Sequence, residues 1–152
     1  MSATTHTTAT TSATVSAVPA STATAVRQTS PLAIGAVSSV LAGLIHYAVV
    51  PEHRSEWVWY AVFFTLLGAF QLIWAAAVWA VRRRWLLGLG VVANAAAISL
   101  WAISRTVGLP FGPDAGEPEL AGVIDVLCVL AEAVALTAAA AVLWGSIRRR
   151  RS

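Results

Sequence analysis

The segment from Leu120 to Ile147 constrains this chain more than any other. Apart from one cysteine, its 28 residues contain only two ionisable side chains, Asp125 and Glu132. A helix needs about 20 apolar residues to cross the hydrocarbon core of a bilayer. Arginines occupy the four positions after Ile147, and arginine beside a span is typically cytoplasmic. The segment therefore predicts a transmembrane helix with the C-terminus of the chain inside the cell.

The composition predicts a lipid environment for the whole chain. Hydrophobic residues make up 58% of the sequence and charged residues 11%, which leaves too little polar surface for a soluble domain. The net charge of +3 does not indicate a nucleic-acid partner, because seven of the ten arginines form two runs that directly flank apolar segments. We expect the lipid bilayer as partner and no nucleic acid.

Three more apolar segments complete the predicted fold. The four spans are approximately 32–50, 57–81, 85–103 and 120–147, with Pro51 expected to end the first of them. Four crossings place both arginine runs on one side and most acids on the other. We predict an all-α integral membrane antiparallel four-helix bundle over residues 31–151, in the bacterial inner membrane, with both termini cytoplasmic.

Residues 1–30 have a different composition. They carry ten threonines, and Arg27 is their only arginine or lysine. Such a segment has too few apolar side chains to bury a core. We predict a disordered, threonine-rich cytoplasmic tail.

Histidines and acids cluster at the predicted outer side. His46 and Asp125 are expected about 6 and 8 Å inside the outer ends of their helices, and the turn between the first two spans adds His53 and Glu56. Imidazoles and carboxylates bind zinc, copper or iron, so His46, His53, Glu56 and Asp125 are the candidate metal ligands of an outward-facing pocket for a metal ion or small polar ligand. The alternative is that His46 is hydrogen-bonded to another helix, that His53 and Glu56 are solvated, and that Asp125 pairs with Arg105.

Two residues are candidates for an outer shell around this pocket. Arg105 and Glu117 could orient the ligating carboxylates. Both belong to the segment SRTVGLPFGPDAGEPE, residues 104–119, in which six of sixteen positions are glycine or proline. Such a segment folds into defined turns. It predicts either a lid, with Phe111 as an apolar plug, or a plain connector.

Polar residues inside the spans are the next candidates, because they are costly in lipid. Glu132 is expected near the midplane, with Gln71 and Asn94 as its hydrogen-bond partners. The three predict either a polar clamp between helices or, alternatively, a small proton-linked carrier that uses Glu132. The single cysteine, Cys128, excludes an intrachain disulfide and suggests no role of its own.

A stripe of small residues suggests a further alternative. Gly35, Ser39 and Gly43 recur at every fourth position of the first span, a spacing that allows close helix approach. Self-association or a membrane partner could use this stripe, which favours a structural or assembly subunit without a site of its own. No Walker A, GxSxG or Ser–His–Asp pattern indicates an enzyme.

The loop patterns carry a resemblance. PEHRSEW at residues 51–57, the segment 104–119 and the following Asp125 resemble small four-helix membrane proteins of high-GC bacteria over about residues 32–147. The resemblance implies a bacterial membrane protein of four helices. It transfers no catalytic residue and no cofactor.

Overall fold

The structure, a computed structural model, describes residues 30–81 and 83–150. Within these ranges it is all-helical, with α1 at Pro31–Glu56, α2 at Val58–Val81, α3 at Arg84–Thr106 and α4 at Val123–Arg148. Each helix is long and apolar enough to cross a membrane. The prediction of an all-α fold with four such helices is confirmed, and the four apolar helices suggest a membrane protein. The predicted tail, residues 1–29, lies outside the described residues.

The helices pack as antiparallel neighbours. α1 lies between α2 and α4, and α3 packs mainly on α4, whereas α2 and α3 make far fewer contacts with each other. At one end of the α3–α4 pair, Arg105 contacts Asp125, and at the other end Arg84 contacts the carbonyl of Ser146. The short connections from α1 to α2 and from α2 to α3 favour antiparallel neighbours, whereas the longer segment 107–122 connects α3 to α4.

The first helix does not end at Pro51 as predicted. Although proline removes one backbone donor, α1 continues to Glu56. The imidazole Nδ1 of His53 lies 2.9 Å from the carbonyl oxygen of Val49, one turn before it, and the backbone N–H of Trp57 donates to the His53 carbonyl at 2.9 Å. The expected turn at residues 51–56 is therefore helical, and Ser55 lies inside α1. His46 consequently lies ten residues, or about 15 Å, from the end of its helix.

The fourth helix begins later than predicted, at Val123 rather than near Leu120. Asp125 determines this start, because its Oδ2 accepts a hydrogen bond from the backbone N–H of Gly122 at 2.8 Å. Asp125 thus lies only about 3 Å inside α4. The expected matching depth of His46 and Asp125 is wrong by about 12 Å along the helix axes.

Opposite charges collect at the two ends of the bundle. The described members of both arginine runs lie at the end where α2 and α4 finish and α3 begins, which we call the basic end. The acids at the opposite, acidic end are Glu52, Glu56, Asp114, Glu117, Glu119 and Asp125. Glu132 is the exception, inside the bundle.

The half of the bundle near the basic end has a tight apolar core. Its buried members are Ala36, Trp74, Ala75, Val78, Leu87 and Ala139. The indole N–H of Trp74 donates to the Leu86 carbonyl at 2.7 Å. A Cβ at Gly90 would collide with this indole, so glycine is required for the close approach of α2 and α3. Large apolar side chains such as Val37, Leu66 and Ile73 are more than 60% exposed, as expected for surfaces that contact lipid.

The small-residue stripe is used within the chain. Gly35 packs against Ala138 of α4, and Gly43 packs against Gly68 of α2. The Ser39 hydroxyl donates to the Gln71 carbonyl at 3.0 Å. A surface for self-association would have to lie elsewhere, and self-association stays a prediction.

Candidate metal and ligand site

Four polar side chains meet inside the bundle. His46 comes from α1, Gln71 from α2, and Cys128 and Glu132 from α4; we call them the buried polar group. His46 Nε2 lies 3.1 Å from Glu132 Oε1, and Gln71 Nε2 donates to the same oxygen at 3.0 Å. Cys128 Sγ lies 3.6 Å from His46 Nε2. Each of the four residues is at most 6% exposed.

Helix geometry explains why these residues meet. Cys128 and Glu132 are four residues apart on α4, so both project from the same face of that helix. Glu132 lies about 14 Å from the start of α4, and His46 lies about 15 Å from the end of α1. Because α1 and α4 are antiparallel and their facing ends lie at the acidic end, the two side chains reach the same depth.

Three of the four side chains offer metal-ligating atoms in a compact arrangement. One ligand atom from each of His46, Cys128 and Glu132 lies within 4.8 Å of the other two. Tetrahedral coordination with ordinary zinc bond lengths places a sulfur about 3.5 Å from a nitrogen, and a nitrogen about 3.3 Å from an oxygen. The observed separations around His46 Nε2 are 3.6 Å to sulfur and 3.1 Å to oxygen. The two separations from His46 therefore match one tetrahedral ion, and the sulfur and the carboxylate oxygen lie within 4.8 Å of each other.

Gln71 holds the carboxylate in place. Its side-chain N–H donates to Glu132, and its backbone carbonyl accepts from Ser39, which ties α1, α2 and α4 together. The side-chain oxygen of Gln71 is buried and has no hydrogen-bond partner among the described residues. Outer-shell donors of this kind orient ligating carboxylates.

A cavity of about 280 Å³ connects the buried polar group with the acidic end. His46, Cys128 and Glu132 form its floor, and Arg105 and Glu119 lie at its rim. Its walls are largely aromatic and include Trp57, Trp59, Tyr60, Phe63, Phe64, Trp101 and Phe111. Small-molecule sites combine apolar walls with a few convergent polar groups in this way.

The segment 107–122 folds over the rim of the cavity. Gly108, Gly112 and Gly116 have positive φ angles, which permit its turns. The Tyr60 hydroxyl donates to the Phe111 carbonyl at 3.2 Å, and the backbone N–H of Glu119 donates to the Ser104 carbonyl at 3.0 Å. The segment is folded and covers the cavity, with the Phe111 ring in the cavity wall.

The structure does not gather the predicted ligand set His46, His53, Glu56 and Asp125 around one point. His46 belongs to the buried polar group, and the His53 ring packs on Phe64 with centroids 4.1 Å apart. Glu56 is exposed. His53, Glu56 and Asp125 instead line a polar cleft at the acidic end, which adjoins the cavity and shares His53 and Asp125 with it. Metal binding by the predicted set stays a prediction.

The two predicted outer-shell residues are also separated. Arg105 bonds to Asp125 at 2.9 Å and pairs with Glu119. Glu117 is exposed, and the carboxylate that pairs with Arg105 is that of Glu119. The pairing of Arg105 with Asp125 agrees with the alternative prediction, in which Asp125 forms an ion pair instead of binding a metal.

The expected buried polar trio is only partly joined. Gln71 bonds to Glu132, but the side-chain N–H of Asn94 donates to the Gly90 carbonyl of its own helix at 2.8 Å. The expected bond between Asn94 and Glu132 is therefore wrong. Cys128 belongs to the buried polar group although the sequence pattern suggested no role for it. The spacing of four residues between Cys128 and Glu132 was the signal in the sequence that the two side chains share a helix face. Because α1 was predicted to end too early, His46 was expected at the depth of Asp125 and not at the depth of these two residues.

No family model, curated protein or solved structure matches this chain. The resemblance to small four-helix membrane proteins of high-GC bacteria stays an expectation.

Proposed function

We propose that this chain is a multi-pass bacterial inner-membrane protein that binds a transition metal ion through His46, Cys128 and Glu132. The observation that carries the proposal is the mutual distance of at most 4.8 Å between one ligand atom from each of these three residues. Zinc, copper and iron are the candidate ions, because a nitrogen, a sulfur and an oxygen donor suit them better than magnesium or calcium.

Charge balance supports a divalent ion at this depth. A thiolate from Cys128 and a carboxylate from Glu132 would together neutralise its two positive charges, while His46 would bind as a neutral imidazole. A neutral site avoids most of the cost of burying charge in a low-dielectric interior. Binding would release the proton of the Cys128 thiol, so affinity should rise with pH.

The cavity supports an exchangeable ligand on the metal. Three protein ligands leave a fourth tetrahedral position, which is the pattern of sites that bind water or substrate rather than of closed structural sites. The cavity meets the three donors at its floor. A small polar ligand or water could therefore complete the coordination.

The orientation of the bundle is part of the proposal. The arginine runs share one end, and the positive-inside rule favours a cytoplasmic location for that end. Both termini would then be cytoplasmic, and the cavity would face the outside of the cell.

Transport by a proton-linked carrier has less support. A carrier needs a route on both sides of Glu132. Towards the basic end, the apolar core around Trp74 and Val78 fills the space between the helices. The structure therefore favours a site reached from the acidic end over a pathway through the bundle.

Metal titration of the purified protein tests the proposal. Cobalt is a suitable probe because a cysteine thiolate bound to Co²⁺ gives a characteristic charge-transfer absorption. We expect one Co²⁺ per chain with this absorption, displaced by Zn²⁺. Cys128→Ser should abolish the absorption, and His46→Gln should weaken affinity by more than the 10–100-fold typical of outer-shell changes.

The matched control is His53→Gln, which removes the other histidine of α1. His53 lies two turns, or about 10 Å, above His46 and outside the three-ligand group, so this variant should bind Co²⁺ like the parent protein. Equal loss in His46→Gln and His53→Gln, or no binding by the parent protein, would refute the proposal. Loss in His53→Gln alone would point to the cleft at the acidic end instead.

A further inference from the structure

The walls of the cavity above the buried polar group are apolar and offer few hydrogen-bond partners to a water-soluble ligand. Phe63, Phe64 and Leu67 line it from α2, and Ala97 and Leu100 line it from α3. Its polar atoms are concentrated at the floor and at the rim, at opposite ends. A ligand that fills it must therefore bury a hydrocarbon part between the polar ends.

The outer halves of α2 and α3 form the wall of the cavity that is closest to the lipid-facing surface. Near the basic end these two helices are in contact, where Trp74 meets Leu86 and Gly90. Nearer the acidic end the cavity separates them. Phe63 and Trp59 line the cavity and are also 38% and 60% exposed, so the cavity wall continues into the lipid-facing surface.

Hydrogen bonds cross the rim of the cavity at the acidic end. Arg105 bridges Asp125 and Glu119, and the Tyr60 hydroxyl donates to the Phe111 carbonyl in the covering segment. The polar cleft at this end adjoins the rim. The polar rim therefore suits contact with water, whereas the apolar walls between rim and floor suit a hydrocarbon chain.

We infer that the cavity takes a membrane-dissolved molecule whose hydrocarbon chain lies between α2 and α3 and whose oxygen-bearing head meets the metal held by His46, Cys128 and Glu132. This inference rests on the proposed metal site and specifies its ligand class. The volume of about 280 Å³ sets an upper limit on the chain. It lies at the lower end of the range for small-molecule pockets, about 300–1,000 Å³, so a medium-length chain fits and a whole phospholipid does not.

Hydroxamates of different chain length test the inference, because their head groups bind zinc and cobalt while the tail is varied independently. Acetohydroxamate has no tail to bury, and octanohydroxamate carries a medium chain. Binding of each to the Co²⁺-loaded protein in detergent is followed by the change in cobalt absorption, at concentrations that leave the metal bound.

Two neighbouring alanines on α3 provide matched variants. Ala97 lines the cavity, whereas Ala96 is exposed on the outer face of the helix. We expect Ala97→Phe to weaken octanohydroxamate binding by about tenfold or more relative to Ala96→Phe, because the added ring occupies the space of several methylene groups. Acetohydroxamate should bind both variants equally. Partition of the tail into detergent is common to both variants and cancels. Ala97→Leu, a smaller addition, replaces Ala97→Phe if the latter does not fold.

The outcomes separate this inference from the proposed function. Normal Co²⁺ binding with equal octanohydroxamate affinity in Ala97→Phe and Ala96→Phe would overturn the inference and leave the metal site intact. Equal weakening of both hydroxamates in Ala97→Phe would also overturn it, since the head alone would then account for the effect. Failure of the parent protein to bind Co²⁺ would refute the metal site, and the ligand class with it.

Discussion

Glu132 is the residue on which the buried polar group depends. A single carboxylate oxygen accepts from Gln71 and contacts His46, and the residue is 2% exposed. A buried donor that loses its partner costs about 1–3 kcal/mol. Glu132 therefore stabilises the fold in the absence of metal as well as supplying a ligand.

Replacement of this carboxylate tests its structural role. We expect Glu132→Leu to lower the free energy of unfolding by about 1–3 kcal/mol, because the Gln71 amide and the His46 ring lose their partner. Glu132→Gln, which keeps an acceptor oxygen, should cost less. Thermal unfolding of metal-free protein in detergent measures both. A Glu132→Leu variant as stable as the parent protein would contradict the hydrogen-bond assignment.

Gln71 and Asn94 form a matched pair for the outer shell of the metal site. Both are amides that are at most 2% exposed, but only Gln71 donates a hydrogen bond to Glu132. We expect Gln71→Leu to weaken Zn²⁺ binding by about tenfold or more, because the ligating carboxylate loses its orienting donor. Asn94→Leu should leave Zn²⁺ affinity unchanged. Competition against a chromogenic zinc chelator measures both constants, and equal effects would remove Gln71 from the site.

At the scale of the helices, small errors in the predicted helix ends change which residues are expected to meet in the site. The four spans follow from hydropathy and length, and the sequence predicts them well. The continuation of α1 beyond Pro51 and the late start of α4 depend on local hydrogen bonds of His53 and Asp125. Hydropathy does not report such bonds. These shifts move His46 away from Asp125 and to the depth of Glu132.

The contact between α2 and α3 predicts different effects for two glycines of the same helix. A Cβ at Gly90 would meet the Trp74 indole, whereas a Cβ at Gly88 has nothing within 4 Å. We expect Gly90→Ala to lower the free energy of unfolding by about 1–3 kcal/mol through overpacking. Gly88→Ala should be neutral or stabilise by up to about 1 kcal/mol, because alanine favours the helix. Denaturation of both variants in detergent checks the difference, and similar values would contradict the close approach at Gly90.

At the scale of the whole molecule, the two ends differ in charge. The basic end carries the described members of the arginine runs, and the acidic end carries the rim of the cavity. The sequence predicts this separation, because each charged residue lies beside an apolar segment of known length. It did not predict the buried polar group completely, since three helices supply its members and their relative depths depend on the helix ends.

Cysteine labelling in intact cells tests the proposed orientation. In a Cys128→Ala background, Asp114→Cys places a thiol in the segment at the acidic end, and Ser152→Cys places one at the end of the chain. We expect a membrane-impermeant maleimide to label the Asp114→Cys variant in intact cells and the Ser152→Cys variant only after the membrane is broken, because arginine runs remain cytoplasmic. The reverse pattern would place the cavity on the cytoplasmic side.

The central claim is that Cys128 and His46 share one metal ion inside the bundle. X-ray absorption at the zinc edge of protein loaded with one Zn²⁺ per chain tests it most directly. The account predicts one sulfur neighbour at about 2.3 Å and nitrogen or oxygen neighbours at about 2.0–2.1 Å, with the sulfur lost in Cys128→Ser. A zinc spectrum with nitrogen and oxygen neighbours alone in the parent protein would contradict the claim.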